Sequence, residues 1–347
     1  MKSFTKTYLN SIKLTHGMLS TIRVLGECKG REELFTNREP DVLESLLENA
    51  LIQSAESSNR IEGITAGNGR VEKIVKNEKT ELASRSEAEI AGYRDALKLI
   101  HENHRNIPVR TSVILQFHAM LYRYTTVKAG AWKVGENEII ELSKNGRKKV
   151  RFKPVTAADT SRCMEGLILS FKTFSDAGEI EPLILVALFI LDFLCIHPFA
   201  DGNGRVARLL TLLLLYKAGF MVGKYISLEK IVEDSKESYY DCLYAASQKW
   251  HDSMHDSEPW IGYFLSLMTA AYKAFEEKAG EIAGSRTKTE QIMKVIDKFV
   301  TPFAITDVGK ACPNVSIDMI RKVVRELRDQ GRIEATGKGR GAKWRKK

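Results

Sequence analysis

A chain of 347 residues, 44% hydrophobic and 28% charged, has the length for two or three domains and the make-up of a folded globular protein. Its net charge of +9 is unevenly spread. The last twenty residues, Arg328 to Lys347, hold eight Lys or Arg against two acids, which points to a polyanionic partner at that end.

Met1 to Ser20 is polar and lacks the apolar stretch of a secretory leader. The longest apolar run, Leu183 to Ile196, falls short of the roughly 20 residues a bilayer crossing needs, and it contains Asp192. A buried helix and no membrane association are expected. The five cysteines are odd in number and form no CxxC pair. Reduced thiols in a cytoplasmic protein are expected rather than a disulfide frame or zinc site.

In chain order, Val42–Arg60 has apolar residues at helical spacing (Leu43, Leu46, Leu47, Ala50, Leu51, Ala55), with Gly63 as a stop. Ser84–Asn103 and Val109–Tyr124 read as helices separated by Pro108. Helical periodicity then fails from Ala131 to Val155. Glu138–Leu142, the turn Ser143-Lys144-Asn145-Gly146, and Arg147–Phe152 read as a β-hairpin. Helices follow at Ala157–Ala177, Pro182–Cys195, Gly204–Lys217, Ile231–Trp250 and Trp260–Gly280, with Gly280–Ser285 as a linker. Beyond it, helices Thr289–Phe299, Ile305–Ala311 and Ser316–Gln330 and a basic hairpin Arg332–Trp344 suggest a winged helix-turn-helix, with Ser316–Gln330 as recognition helix.

The chemistry concentrates in His197 to Arg208, HPFADGNGRVAR. Gly202-Asn203-Gly204 opens a helix, where unpaired N–H groups and the helix dipole favour an anion. Arg205 and Arg208 are three apart, on a shared helix face, and guanidinium forks suit terminal phosphates. Asp201 is a hard oxygen ligand for Mg²⁺, and His197 can accept a proton from an incoming hydroxyl. The twelve residues describe a site for polyphosphate chemistry.

This string resembles the signature of the Fic (Fido) family of protein AMP-transferases, His-x-Phe-x-Asp/Glu-Gly-Asn-Gly-Arg-x-x-Arg, at every fixed position. The resemblance implies a mainly α, Fic-type helical bundle with a β-hairpin flap at 130–155 that aligns the target. It also implies an enzyme, a protein adenylyltransferase that moves AMP from Mg-ATP to a Tyr, Thr or Ser hydroxyl of a target protein or of itself. His197 would be the base and Asp201 the Mg²⁺ ligand. The ATP contacts would come from Gly202, Asn203, Gly204, Arg205, Val206, Ala207 and Arg208. Ser227 with Tyr239 and Tyr240 resembles the segment that closes over adenosine, with Tyr240 as the contact.

Ser58-Asn-Arg-Ile-Glu62-Gly63 is similar to the family's inhibitory motif. Ser58 and Glu62 share a face, and Glu62 lies at a helix C-terminus, where a carboxylate wants a cation. The resemblance names Arg208, so Glu62 and the γ-phosphate would compete for one guanidinium. It also allows removal of AMP as a second activity.

The expected division is an N-terminal helical region 1–108 that carries the inhibitory helix (about 42–63), a catalytic core 109–280 and a winged helix 286–347. A nucleotide-sensing DNA-binding regulator acting through 286–347 is the alternative function, and a docking or homodimerising role for that unit stays open. His251 and His255 have metal-compatible spacing but read mainly as a solvated loop. His101-Glu-Asn-His104 lacks the zinc-hydrolase pattern.

Overall fold

The computed structural model describes residues 1–38, 40–67, 69–76, 81–142, 148–285, 288–299, 301–313, 315–336 and 343–346. Its elements are α1 (Lys6–Ser11), α2 (His16–Arg38), α3 (Pro40–Ile61), α4 (Arg70–Val75), α5 (Arg85–Asn103), α6 (Thr111–Leu121), β1 (Ile139–Leu142), β2 (Lys148–Phe152), α7 (Thr160–Ala177), α8 (Pro182–Ile196), α9 (Asn203–Lys217), α10 (Leu228–Asp234), α11 (Lys236–Ser247), α12 (Glu258–Ser285), α13 (Lys288–Lys298), α14 (Ile305–Ala311), α15 (Ile317–Asp329), β3 (Ile333–Ala335) and β4 (Trp344–Lys346). The architecture is mainly helical. It divides into two compact units, Met1–Glu276 and Glu277–Lys347.

In the first unit α8 is the central helix. Pro182 starts it, at a position where the missing N–H costs nothing, and every residue from Leu183 to Ile196 is buried. α7 and α9 pack on it. α9 is buried from Asn203 to Tyr216 except at Gly204, so its first turn is held by core packing. α5 packs on α3 and α6. Asp192, the one carboxylate on α8, accepts hydrogen bonds from Ser3 N and Oγ (3.2 and 2.5 Å) and from Trp250 Nε1 (2.5 Å). No helix among the described residues is long and apolar enough to cross a membrane, and all five cysteines are free thiols.

α3 ends in a Schellman motif: Gly63 N donates to Arg60 O (3.0 Å) and Ile64 N to Asn59 O (2.9 Å). Gly63 takes the left-handed φ of +79° that this ending requires. Glu62 is thereby fixed at the helix cap. β1 and β2 pair antiparallel, with a register irregularity at Ile139/Ile140. The expected turn 143–146 lies outside the described residues.

Three expectations change. The helix expected over Ile231–Trp250 is two helices, α10 and α11, broken at Ser235. The segment Gly280–Ser285 continues α12 and is no linker. The 1–108 region does not separate from the rest of the first unit, because α5 packs on α6 and α9. The long helix α2 had no sequence reading at all.

In the second unit, α13, α14 and α15 enclose a core of Ile292, Ile296, Val308, Ile320, Val324 and Leu327. β3 pairs antiparallel with β4, and Trp344 also bridges Phe303. Ser316 caps α15 by accepting from Met319 N. A helix and an antiparallel strand pair therefore lie within Ser316–Gln330 and near Arg332–Trp344, and residues 337–342 lie outside the described set.

Candidate active site

His197 ends α8 in the left-handed region, φ 50°, ψ 61°. For a non-glycine residue this costs about 1–3 kcal/mol and needs support from outside. Its ring Nδ1 lies 3.2 Å from Leu194 O. A carbonyl only accepts, so Nδ1 carries the proton and Nε2 presents a bare lone pair. Burial pushes the imidazole down to about 4, with the Lys133 cation in the same direction, against the Leu194 hydrogen bond, Glu62 and Asp201. Burial keeps this ring neutral near neutral pH, which is the form a general base needs.

The loop after His197 is closed on itself. Asn203 Oδ1 accepts from Phe199 N (2.9 Å) and Nδ2 donates to Phe199 O (2.8 Å). The Asn203 side chain was expected to meet phosphates, but both its polar atoms are spent inside the loop. Phe199 is buried, stacked on His118 with centroids 3.8 Å apart. Gly202, with φ 81°, is the N-cap of α9. The N–H groups of the first turn are the ones a helix leaves unpaired, which makes this an anion cradle. Val206 and Ala207 bury their side chains in the core, and Val206 N donates to Gly202 O (3.0 Å).

The Asp201 side chain is 69% exposed. Oδ2 accepts from Tyr122 Oη (2.8 Å) and Oδ1 from Gly202 N (2.7 Å). Partial burial acts against ionisation, but the Tyr122 hydrogen bond, Arg205 and the Gly202 amide together hold the carboxyl below its usual range. Among the described residues no three His, Cys, Asp or Glu side chains cluster as a metal cage. One exposed, ionised carboxylate beside an anion cradle fits Mg²⁺, which draws its remaining ligands from phosphate oxygens and water. His251 and His255 do not converge. His251 Nε2 meets Lys153 O (2.7 Å), and His255 Nε2 meets Ser3 Oγ (2.9 Å).

Both motif arginines reach the end of α3, with different partners. Arg205 is 1% exposed. It donates to Glu89 Oε2 (2.6 Å), to Tyr122 Oη (2.9 Å) and weakly to Asn59 Oδ1 (3.5 Å). It braces Glu89 and Tyr122 in this structure and is not turned to a terminal phosphate as the sequence reading had it. Arg208 donates through Nε to Ser58 Oγ and through Nη2 to Ser58 O and Glu62 Oε1, all at 2.8 Å. Its Nη1 is buried without a protein partner among the described residues. Glu62 is 31% exposed. A Cβ placed on Gly204 would lie 2.1 Å from Glu62 Oε1, so only glycine leaves room for this carboxylate.

Tyr240 on α11 is half-buried, edge-to-face against Tyr239 at 5.2 Å, with Lys236 Nζ 5.9 Å from its ring centroid. Burial, then Glu62, pushes its hydroxyl up to about 12, so it acts as a donor. Ser227 is buried, caps α10 and lies 2.9 Å from Ser54 Oγ, so it faces α3 and not an open cleft.

Sequence reasoning missed a second layer. His118 on α6 accepts from Gly130 N at Nδ1 (3.0 Å) and so donates from Nε2 to Asp201 O (3.2 Å). Tyr122, four residues on, holds the same aspartate by its carboxylate. Glu89, Lys133 and Asn137 complete the layer. The spacing of Glu89 to Arg85, an i,i+4 pair on α5, pointed only to a local partner.

Residues 108–215 match the family model described as the Fic/DOC family. The mainly helical fold is that of solved Fic-family structures. A Fic family protein from Desulfovibrio desulfuricans G20 superposes over 96% of this chain and 97% of that one, with a TM-score of 0.65 at 20% identity. Protein adenylyltransferase fic-1 of Caenorhabditis elegans is 26% identical over 123 residues, 35% of this chain and 21% of that protein. A Fido domain-containing protein of Dictyostelium discoideum is 36% identical over 59 residues, 17% of this chain and 41% of that protein. The matched segments span less than half of either curated relative.

Proposed function

We propose that this chain is a protein AMP-transferase restrained by Glu62. The observation that carries the reading is the shared grip on Arg208: Ser58 and Glu62 hold the last arginine of the signature, while its Nη1, beside the α9 N-terminus, has no protein partner among the described residues.

In the productive state the target hydroxyl gives its proton to His197 Nε2. The oxygen attacks the α-phosphorus of ATP in line, forming the O–P bond as the bond to pyrophosphate breaks. The unpaired amides at the start of α9 cradle the phosphates. Bound Mg²⁺, held by Asp201, would neutralise phosphate charge. Arg208 takes the γ-phosphate once Glu62 yields. Tyr240, beside Glu62, closes the adenosine side. Run in reverse, with pyrophosphate attacking the α-phosphorus of the modified target, the same step reforms ATP as the O–P bond to the target breaks and His197 returns its proton to the target oxygen. The related worm protein is named an adenylyltransferase, which supports the reaction class.

The test is incubation of parent, Glu62→Gly and Glu62→Gly/His197→Ala proteins with labelled Mg-ATP and a lysate, with adducts read by mass. AMP adducts, on the chain itself or on a target, should rise in Glu62→Gly and vanish in the double variant. Equal labelling of all three would overturn the reading.

A second reading rests on the last unit. The exposed face of α15 carries Arg321, Lys322, Arg325 and Arg328, although Arg321 pairs with Asp318 and Arg328 with Asp329. A winged helix-turn-helix over 286–347 would set this face on duplex DNA. Binding should then weaken steeply with salt, survive His197→Ala and disappear when 286–347 is removed. Salt-independent retention would point to a protein partner or a homodimer.

A further inference from the structure

Four consecutive backbone carbonyls, from Ile196 to Phe199, run through the strained bend at His197, and two residues from the segment before the hairpin occupy all four, three through side chains and one through the Lys133 backbone amide. Lys133 N donates to Pro198 O (2.8 Å) and Lys133 Nζ to Ile196 O (3.3 Å). Asn137 Nδ2 donates to His197 O (3.3 Å) and Phe199 O (3.1 Å). Lys133 Nζ and Asn137 Oδ1 are joined at 2.7 Å, so the two act as one clamp. A helix end leaves its last carbonyls unpaired, and a left-handed histidine needs outside support. This clamp supplies both.

We propose that Lys133 and Asn137 are positioning residues for His197. They hold its backbone in the left-handed conformation that aims Nε2 at the reacting hydroxyl. The proposal rests on the reading of His197 as the base. Lys133 is 5% exposed, which is costly for an ammonium unless it serves such a role. The charged groups acting on the His197 imidazole are Lys133 from this segment, Glu62 from the end of α3 and Asp201 from the following loop. Lys133 is the cation among them, so it also favours the neutral ring. The clamp further ties the base to the segment leading into β1, so the hairpin and the base are placed together.

The test uses the full chain labelled at histidine, with His197→Ala to assign one resonance among seven histidines. Lys133→Met should raise the midpoint of the His197 titration, and Lys133→Arg should restore it. Asn137→Ala, made in the Glu62→Gly background, should lose roughly 10- to 100-fold in kcat, as expected for a misplaced base. Its KM for ATP should stay within about twofold. An unchanged midpoint in Lys133→Met, or a parental kcat in Asn137→Ala, overturns the proposal. Circular dichroism confirms folding, and Lys133→Arg is the variant that keeps charge and backbone donor if the others are unstable. Absence of AMP transfer in every variant would strike the proposed function, while the titration still decides the clamp.

Discussion

Gly204→Ala should loosen the hold of Glu62 on Arg208. The backbone at 204 lies outside the left-handed region, so alanine brings no conformational penalty of its own. Its Cβ would sit 2.1 Å from Glu62 Oε1 and 3.1 Å from Cδ. The carboxylate must retreat by about an ångström to reach an ordinary contact. The 2.8 Å bond to Arg208 Nη2 then stretches beyond hydrogen-bonding range. A charge-assisted bond is worth about 1.5–3 kcal/mol, and partial exposure of Glu62 puts it at the lower end. About 1.5 kcal/mol corresponds to roughly tenfold in affinity. Calorimetry with Mg²⁺ and a non-hydrolysable ATP analogue on the parent, Gly204→Ala, Glu62→Gly and the double variant isolates the term. Any direct clash between the added methyl group and phosphate cancels from the cycle. The expected coupling is about 1.5 kcal/mol, because Gly204→Ala has nothing left to release once Glu62 is gone. Strictly additive effects would refute the steric argument.

Three further outcomes follow from the geometry. Tyr122→Phe removes the hydroxyl that donates to Asp201 and accepts from Arg205, and Mg²⁺ affinity of the nucleotide complex should fall about tenfold or more in a metal titration. Ser3→Ala deprives buried Asp192 of one of its two shortest hydrogen bonds and should lower stability by about 1–3 kcal/mol, read from thermal or urea unfolding. Burial pushes His118 and His255 down to about 4 and His101 to about 3. The unfolded chain takes up those protons near pH 6.5 and the folded chain does not. These groups therefore contribute fully above about pH 6.5, and Tm should fall as pH drops from there toward about 4. A flat Tm over that window would refute it.

The phosphate loop was legible because its parts are contiguous: a glycine bend, a helix start and an apolar helix behind it all lie within one short stretch of chain. The meeting of Glu62 with Arg208 was legible only through the resemblance, since nothing local links positions 146 residues apart. The aim of Arg205 was misread because helical spacing fixes a face and not a partner, and Glu89 is a long-range one. That the Asn203 side chain closes its own loop was not legible, because an amide next to an anion cradle can do that or meet an anion. His118, Lys133 and Asn137 carry no local pattern, because their bonds run to backbone carbonyls or amides supplied by other segments. α2 was missed for its polarity, and the extension of α12 through Ser285 for its glycines.

The bracing of α3 determines how Arg208 can be released. Ser54 meets Glu229, Ser57 meets Glu233, and Arg60 meets the same Glu233 on α10. Lys236 reaches the Ile61 carbonyl, and the turn at Gly63 locks the exit. The helix is riveted into the bundle, while Glu62 alone reaches out on a flexible stem. Parting Glu62 from Arg208 therefore needs a rotamer swing of one side chain, a motion of nanoseconds, rather than the departure of a helix, and Ser58 keeps its two bonds to the guanidinium throughout. Under the proposed restraint, a control signal would have to displace only a single carboxylate.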